Sequence, residues 1–254
     1  MRIQRHLLAP RAPAARCRLL AACEDGFDLT ARALLHNGAK VDAQCKGGET
    51  ALITACHFGH VQTTRMVLAA GASVNLADGK RMSALMHLCL YPHPNDDDLI
   101  KILLKARADT DCATHEGDRA LHIACANMHD EATRALLNAG ANADEFGQGG
   151  FTPLMLGAMA GFESITALLL SGRAKPDVAK ADGTTALMLA AKDGQTEVVR
   201  QLLDAGASPT AAAKDGTTAT MLARGQPSTH QLLMQRQAGK KSRVGTLLGK
   251  FYRR

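Results

Sequence analysis

Seven cysteines and ten histidines are the residues of this 254-residue chain with the most chemistry to offer, as thiol nucleophiles, redox partners or metal ligands. Their spacing uses almost none of it. No C-x-x-C pair occurs, and Cys23, Cys56, Cys89 and Cys125 follow one another at intervals of 33, 33 and 36 residues. Cys17, Cys45 and Cys112 have no ligand spacing either. In "CHFGH", His57 and His60 are close, but Gly59 lies between them and no carboxylate is near, so a zinc site would lack its remaining ligands. The stretch "GQGGFT" at 147–152 starts like a dinucleotide-binding loop, yet Thr152 stands where the third glycine should be and no strand-rich segment precedes it. A turn joining two units accounts for it better. Asp96–Asp98 suits the start of a helix, where the dipole favours acids, and provides too few oxygens for calcium. There is no P-loop, nucleophile elbow or H-E-x-x-H. The expectation is a protein without catalysis, cofactor or metal.

Composition agrees with a helical protein. Trp is absent, and the aromatics are six Phe and two Tyr. Ala, Leu and Gly dominate, which suits closely packed helices with tight turns. The net charge of +6 is unevenly placed. Residues 1–18 hold five Arg and residues 234–254 hold seven Lys or Arg, with no acid in either segment, so the middle of the chain is mildly acidic. That sign argues against nucleic-acid binding by the body. The odd cysteine count, with no N-x-S/T sequon and no signal-peptide pattern, points to a reducing, cytoplasmic setting. No apolar run approaches the roughly 18 residues of a membrane span.

The cysteine intervals belong to a wider period. Thr50, Ser83, Arg119, Thr152, Thr185 and Thr218 are separated by 33, 36, 33, 33 and 33 residues. Gly38, Gly71, Arg107, Gly140, Arg173 and Gly206 repeat those steps, including the single 36. Two independent landmarks drifting together signal stacked supersecondary units. Within each unit Thr or Ser caps a first helix, a Leu (52, 85, 121, 154, 187) opens its buried face, and small residues follow. A second helix ends in paired apolar residues, and Gly takes the left-handed stop. Arg119 in place of the capping Thr predicts a weak start to its helix, and Arg107 and Arg173 in place of Gly predict strain. Three extra residues within "LYPHPNDDDLI" lengthen one interhelical loop. On stacked helices roughly 8–10 Å apart the four periodic cysteines cannot pair, and core packing is their expected role.

The segments "GETALITACHFGH", "GDRALHIACANMH", "GFTPLMLGAMAGF" and "GTTALMLAAKDGQ", followed by "MVLAAGASVN", "ALLNAGANAD" and "QLLDAGASPT", resemble the ankyrin repeat's G-x-T-P-L-H-x-A-A-x-x-G-H and L-L-x-x-G-A-x-x-N. Only Pro153 keeps the Pro of that motif. The resemblance implies an all-α solenoid of stacked helix-turn-helix units joined by β-hairpin-like turns. It spans residues 17–238 as about seven units, the first and last acting as caps, between a basic head (1–16) and a basic tail (239–254). It also implies a monomeric protein-binding module or scaffold, working through a concave groove of hairpin tips and first-helix surfaces. By repeat position the groove residues are Lys46, Glu49, His57 and Phe58, then Lys80, Met82, Leu90 and Tyr91. Further along they are Asp118 and Asn127, Phe151 and Met159, and Asp182 and Lys192. Aromatic and Met side chains at water-facing positions usually mark contacts, although they can also fold back over neighbouring Ala. Asn75, with Leu68 seven residues ahead, matches a position that ankyrin-repeat proteins often present to an asparaginyl hydroxylase; a plain turn Asn is the alternative.

The ends raise a second expectation. In the tail, Val244, Leu247, Leu248 and Phe251 are spaced i, i+3, i+4 and i+7, with Lys240, Lys241, Lys250, Arg253 and Arg254 around them. A basic amphipathic segment of this kind suits an acidic membrane surface or a partner, which leaves open a targeting adaptor with the repeats as cargo holder. A disordered tail and nuclear import are further options. The head is Arg-rich like a mitochondrial presequence, but Pro10 and Pro13 interrupt it and it has no Ser or Thr.

Overall fold

The computed structural model describes residues 15–91 and 94–238, and the chain divides into two compact units, one up to His115 and one from Glu116. The described residues are helical, with no strand beyond isolated bridges. The N-terminal half contains α1 (Ala15–Glu24), α2 (Asp28–His36), α3 (Ala51–His57), α4 (Val61–Ala69), α5 (Ala84–Leu90) and α6 (Asp96–Lys105). The C-terminal half contains α7 (Ala120–Ala126), α8 (Asp130–Asn138), α9 (Pro153–Ala160), α10 (Glu163–Ser171), α11 (Ala186–Lys192), α12 (Thr196–Asp204), α13 (Ala219–Leu222) and a last helix α14 (227–238). In each half the odd-numbered helices pack on one another in one layer and the even-numbered ones in a second. The order of packing is the order of the chain.

The periodic residues explain the elements. The hydroxyls of Thr50, Ser83, Thr152, Thr185 and Thr218 accept the amide N–H three residues on, at 3.2 to 3.4 Å, and so start the first helices. The Leu column is buried throughout, as are Cys23, Cys56, Cys89 and Cys125. Truncating one such Leu to Ala would cost about 2–5 kcal/mol. Between pairs the chain turns back through hairpins, three of which hold one antiparallel bridge: Ala77 with Ser83, Ala179 with Thr185 and Ala212 with Thr218. The "GQGGFT" stretch is such a turn, closed by a Gly147 amide to Phe151 carbonyl bond of 2.8 Å. Asp96–Asp98 opens α6 as expected, and Asp96 is buried there.

Side chains also tie one pair to the next. The Oδ1 atoms of Asp42, Asn75, Asp144 and Asp177 accept the backbone N–H of Ser73, Asp109, Lys175 and Ser208 at 2.8 to 2.9 Å. Asn75 is thus engaged as a link between repeats.

Six second helices stop in the left-handed region, at Gly38, Gly71, Arg107, Gly140, Arg173 and Gly206. In each, two backbone bonds close the end; at α6 they run from the Arg107 N–H to the Leu104 carbonyl and from Ala108 to Leu103, both 3.0 Å. A Cβ at any of the four glycines would meet nothing within 4 Å, so conformation rather than space favours glycine here. Arg107 and Arg173 hold φ values of 62° and 68° against that preference. Arg81 and Met128 share the left-handed region, which the repeat landmarks do not foretell. Replacing Arg107 or Arg173 by Gly should stabilise the fold by about 1 kcal/mol each, a rise in Tm of a few degrees in a thermal melt. A fall would show that the guanidinium makes a contact worth more than the strain.

Candidate functional site

In the N-terminal half the first helices α3 and α5 end side by side, and their last residues form a small aromatic shelf. The His57 ring lies 4.7 Å from Phe58 and 4.7 Å from Tyr91, both edge-on, and 5.5 Å from His87. Phe58 also stacks on His60 at 6.4 Å, and the His60 Nε2 lies 3.0 Å from the Glu24 carbonyl. Beneath the shelf, His87 is buried and its Nε2 donates to Asp78 Oδ2 at 3.1 Å. Asp78 Oδ1 accepts the Lys80 and Met82 amides, both at 2.8 Å, and so shapes the hairpin tip that carries Lys80. Burial would raise the Asp78 pKa, but the Met82 amide, His87 and the Lys80 amide together hold it below the ordinary value. The adjacent tip is linked by a 2.6 Å bond from the Gly79 amide to the Gly47 carbonyl.

Of the sequence-predicted residues here, His57, Phe58 and Tyr91 are brought together, Leu90 is half-buried, and Lys46, Glu49 and Lys80 are exposed on the tips. Met82 departs from the expectation: it is buried, because the Asp78 turn directs the chain inward at that point. His87 was missed by repeat-position reasoning. It falls four residues after the capping Ser83, inside the helix rather than on an edge.

In the C-terminal half, Phe151 is half-buried with the Lys180 ammonium 3.8 Å from its ring centroid, and Met159 is exposed. Here one aromatic has folded under a neighbour, since Lys180 covers a face that would otherwise be open. Asp118 Oδ1 accepts the Gln148 amide and Asp182 Oδ1 the Thr184 amide, both at 2.8 Å, so both acids shape turns. Asn127 and Lys192 are exposed. Phe146 and Met128 are also exposed and sit at repeat positions that the groove pattern does not include. The tail residues Lys240, Lys241, Leu247, Leu248, Phe251, Arg253 and Arg254, and the basic head, lie outside the described residues.

Arg119 provides no capping acceptor, yet α7 does not start bare. His122 Nδ1 accepts the Arg119 N–H at 3.3 Å, which fixes the neutral tautomer with Nε2–H donating to the Glu145 and Phe151 carbonyls at 3.0 and 3.2 Å. The Arg119 guanidinium meanwhile pairs with Glu145 at 3.1 Å and bonds the Phe146 carbonyl at 3.2 Å. One imidazole supplies the reciprocal half of a capping box, accepting the Arg119 amide, and pins the next hairpin.

Buried thiols are poor nucleophiles. Burial pushes Cys23, Cys56 and Cys125 up to about 12. The latter two lie 3.8 and 3.9 Å from the hydroxyls of Thr64 and Thr133 on the paired helix. No group of three or more His, Cys, Asp and Glu that could hold a metal occurs among the described residues. None of their helices is long and apolar enough to cross a membrane.

Comparison with known proteins agrees with this geometry. The family model described as ankyrin repeats (3 copies) matches residues 19–95, 86–180 and 162–243. The chain belongs to the ankyrin-repeat family. Among solved structures it is similar to the ankyrin repeat domain of human ASB11, with 26% identity and a TM-score of 0.74, covering 89% of this chain and 98% of that one. The ankyrin repeat domain of Bcl-3, a member of the IkappaB protein family, shares the fold at 24% identity and a TM-score of 0.78, over 85% of this chain and 97% of that one. An ankyrin repeat domain from Acinetobacter baumannii AYE matches at 29% identity and a TM-score of 0.69, over 76% and 99%. No curated protein matches the sequence.

His122 makes stability depend on pH. Burial lowers its pKa from 6.5, outweighing Asp118 and the Glu145 and Phe151 carbonyls, which raise it, while Arg119 lowers it further. The unfolded chain therefore takes up a proton at a higher pH than the folded chain does. His122 contributes fully above about pH 6.5, and that contribution is lost as the pH falls from there through its folded value. His122→Gln cannot titrate, so the Tm advantage of the wild type over this variant should shrink between neutral and mildly acidic pH. A constant difference across that range would show that protonation leaves the cap intact.

Proposed function

We propose that this chain, as a member of a family of protein–protein interaction modules, is non-catalytic and docks a partner on the aromatic shelf of its N-terminal half, with Met159 and the edge of Phe151 left open by Lys180 as a separate candidate contact in the C-terminal half. The observation that carries this reading is the exposure of Phe58 at 42% and Tyr91 at 46%, in a chain with only six Phe and two Tyr. Both rings are braced against His57 from two different helices, so they are held in place before any partner arrives. Preorganised aromatic anchors contribute more to binding than mobile ones, because little side-chain freedom is lost on contact. The exposed tips with Lys46, Glu49 and Lys80 supply the polar rim that such contacts usually have. Asn127, Asp182 and Lys192 would serve the same purpose in the other half.

Affinity capture from cell lysate with the full chain and its Phe58→Ala/Tyr91→Ala variant tests this. Loss of each anchor should weaken binding by about 2 kcal/mol or more, roughly 30-fold, so the captured partner should disappear while helicity and Tm stay near those of the wild type. A Phe151→Ala/Met159→Ala variant asks the same of the other half. Capture unchanged in both variants would overturn this use of the exposed side chains. Loss caused instead by charge reversal at Lys240 and Lys241, and by salt, would move recognition to the tail.

A further inference from the structure

The two hairpin tips beside the aromatic shelf carry charge that the fold leaves unused. Lys46 and Lys80 flank one hydrogen bond, from the Gly79 amide to the Gly47 carbonyl, so the tips touch. A Cβ on Gly48 would come within 2.7 Å of the Gly79 nitrogen, which shows how closely they pack. Both lysines are exposed, and neither is in an ion pair among the described residues. The carboxylate of Asp78 is committed elsewhere: Oδ1 accepts the Lys80 and Met82 amides, and Oδ2 accepts the His87 imidazole N–H. Residues 45–49 and 78–82 thus present Lys46, Lys80 and Arg81 against Glu49 alone. The C-terminal half uses its cations internally, with Arg119 on Glu145, Lys175 on Asp144 and Lys180 over Phe151. Charge and shelf form one surface. His87 holds the acid that folds the Lys80 tip, and its ring lies 5.5 Å from His57, which braces Phe58 and Tyr91.

We propose that the occupant of this surface is an acidic peptide segment, with one large apolar side chain set on Phe58 and Tyr91 and two or more carboxylates directed at Lys46 and Lys80. Resting on the docking proposed above, this gives the partner its chemistry. Contact with the braced rings supplies most of the affinity. The carboxylates supply attraction at a distance and fix the register of the segment on the tips. Single-stranded nucleic acid would use the same rings and cations, but it also needs a basic track along its backbone. The middle of this chain is acidic overall, which disfavours such a track. A short peptide needs only the two tips and the shelf.

Selection of a random peptide library displayed on phage, with the full chain as bait, tests this. Enriched sequences should combine Leu, Phe or Met with Asp and Glu a few positions away. Lys46→Glu/Lys80→Glu should weaken binding of those peptides roughly tenfold at low salt. Used as bait itself, that variant should select Lys and Arg where the wild type selects acids, which also shows that it is folded. Glu49→Gln should tighten the wild-type peptides. Lys240→Glu/Lys241→Glu should return the same sequences as the wild type, which separates the tips from the basic tail. Enrichment that needs Phe58 and Tyr91 but has no preference for acids, or that Lys46→Glu/Lys80→Glu leaves unchanged, would overturn the proposal while the docking reading stands. Enrichment indifferent to Phe58→Ala/Tyr91→Ala would remove that reading as well. A library that yields no binders, or acidic binders lost with Lys240→Glu/Lys241→Glu, would equally overturn the proposal. So would an oligodeoxythymidine probe that binds the shelf more tightly than the peptides, which gives the face to nucleic acid.

Discussion

A pair of short helices cannot cover its own apolar face, and the rest of this protein's architecture answers that deficit. The first helices are seven or eight residues long from α3 through α11, too short to persist in water without tertiary contacts. Their Leu and Cys columns become dry only when the next pair arrives. Stability is then distributed over interfaces between neighbours rather than held in one central core. The Asx side chains that accept amides from the following pair add direction, since each bond is satisfied only at one stacking offset.

The same constraint explains how much could be read beforehand. A face that must meet its neighbour in an identical way repeats its residues at an identical interval, so the stacked columns, the helix caps and the left-handed stops were all visible as a period. Arg107 and Arg173 are informative because they break that pattern without moving the stop: both remain left-handed, closed by the same pair of backbone bonds as the glycines. The local geometry is set by packing on either side, and the side chain conforms to it.

Exposed positions obey no such rule, which is why the candidate site was only half legible. Phe58, Phe151 and Met82 were placed by one repeat pattern, yet one ring stands open, one lies beneath Lys180 and one side chain is buried. What separates them is a contact with a residue about thirty positions away, or a turn set by a single acid such as Asp78. His57 gains its meaning only from Tyr91 on the next helix, and His87 only from the carboxylate beneath it. Periodicity names the surface; it does not say which rotamer a side chain takes there.

Departures from the repeat are tolerated because a neighbouring pair is always within reach to compensate. Arg119 cannot cap α7, but His122 returns to accept its amide while the guanidinium reaches the following hairpin at Glu145 and Phe146. The compensation uses residues on both sides of the fault, which an isolated helix would not have. It also tightens that junction: a Cβ on Gly147 would come within 2.3 Å of Asp118 Oδ1 and 2.6 Å of the His122 ring. An irregular residue in one repeat thereby constrains the backbone of the next. The last described helix pair, α13 and α14, shows no such compensation at Met221 and Met234, which stay at the surface.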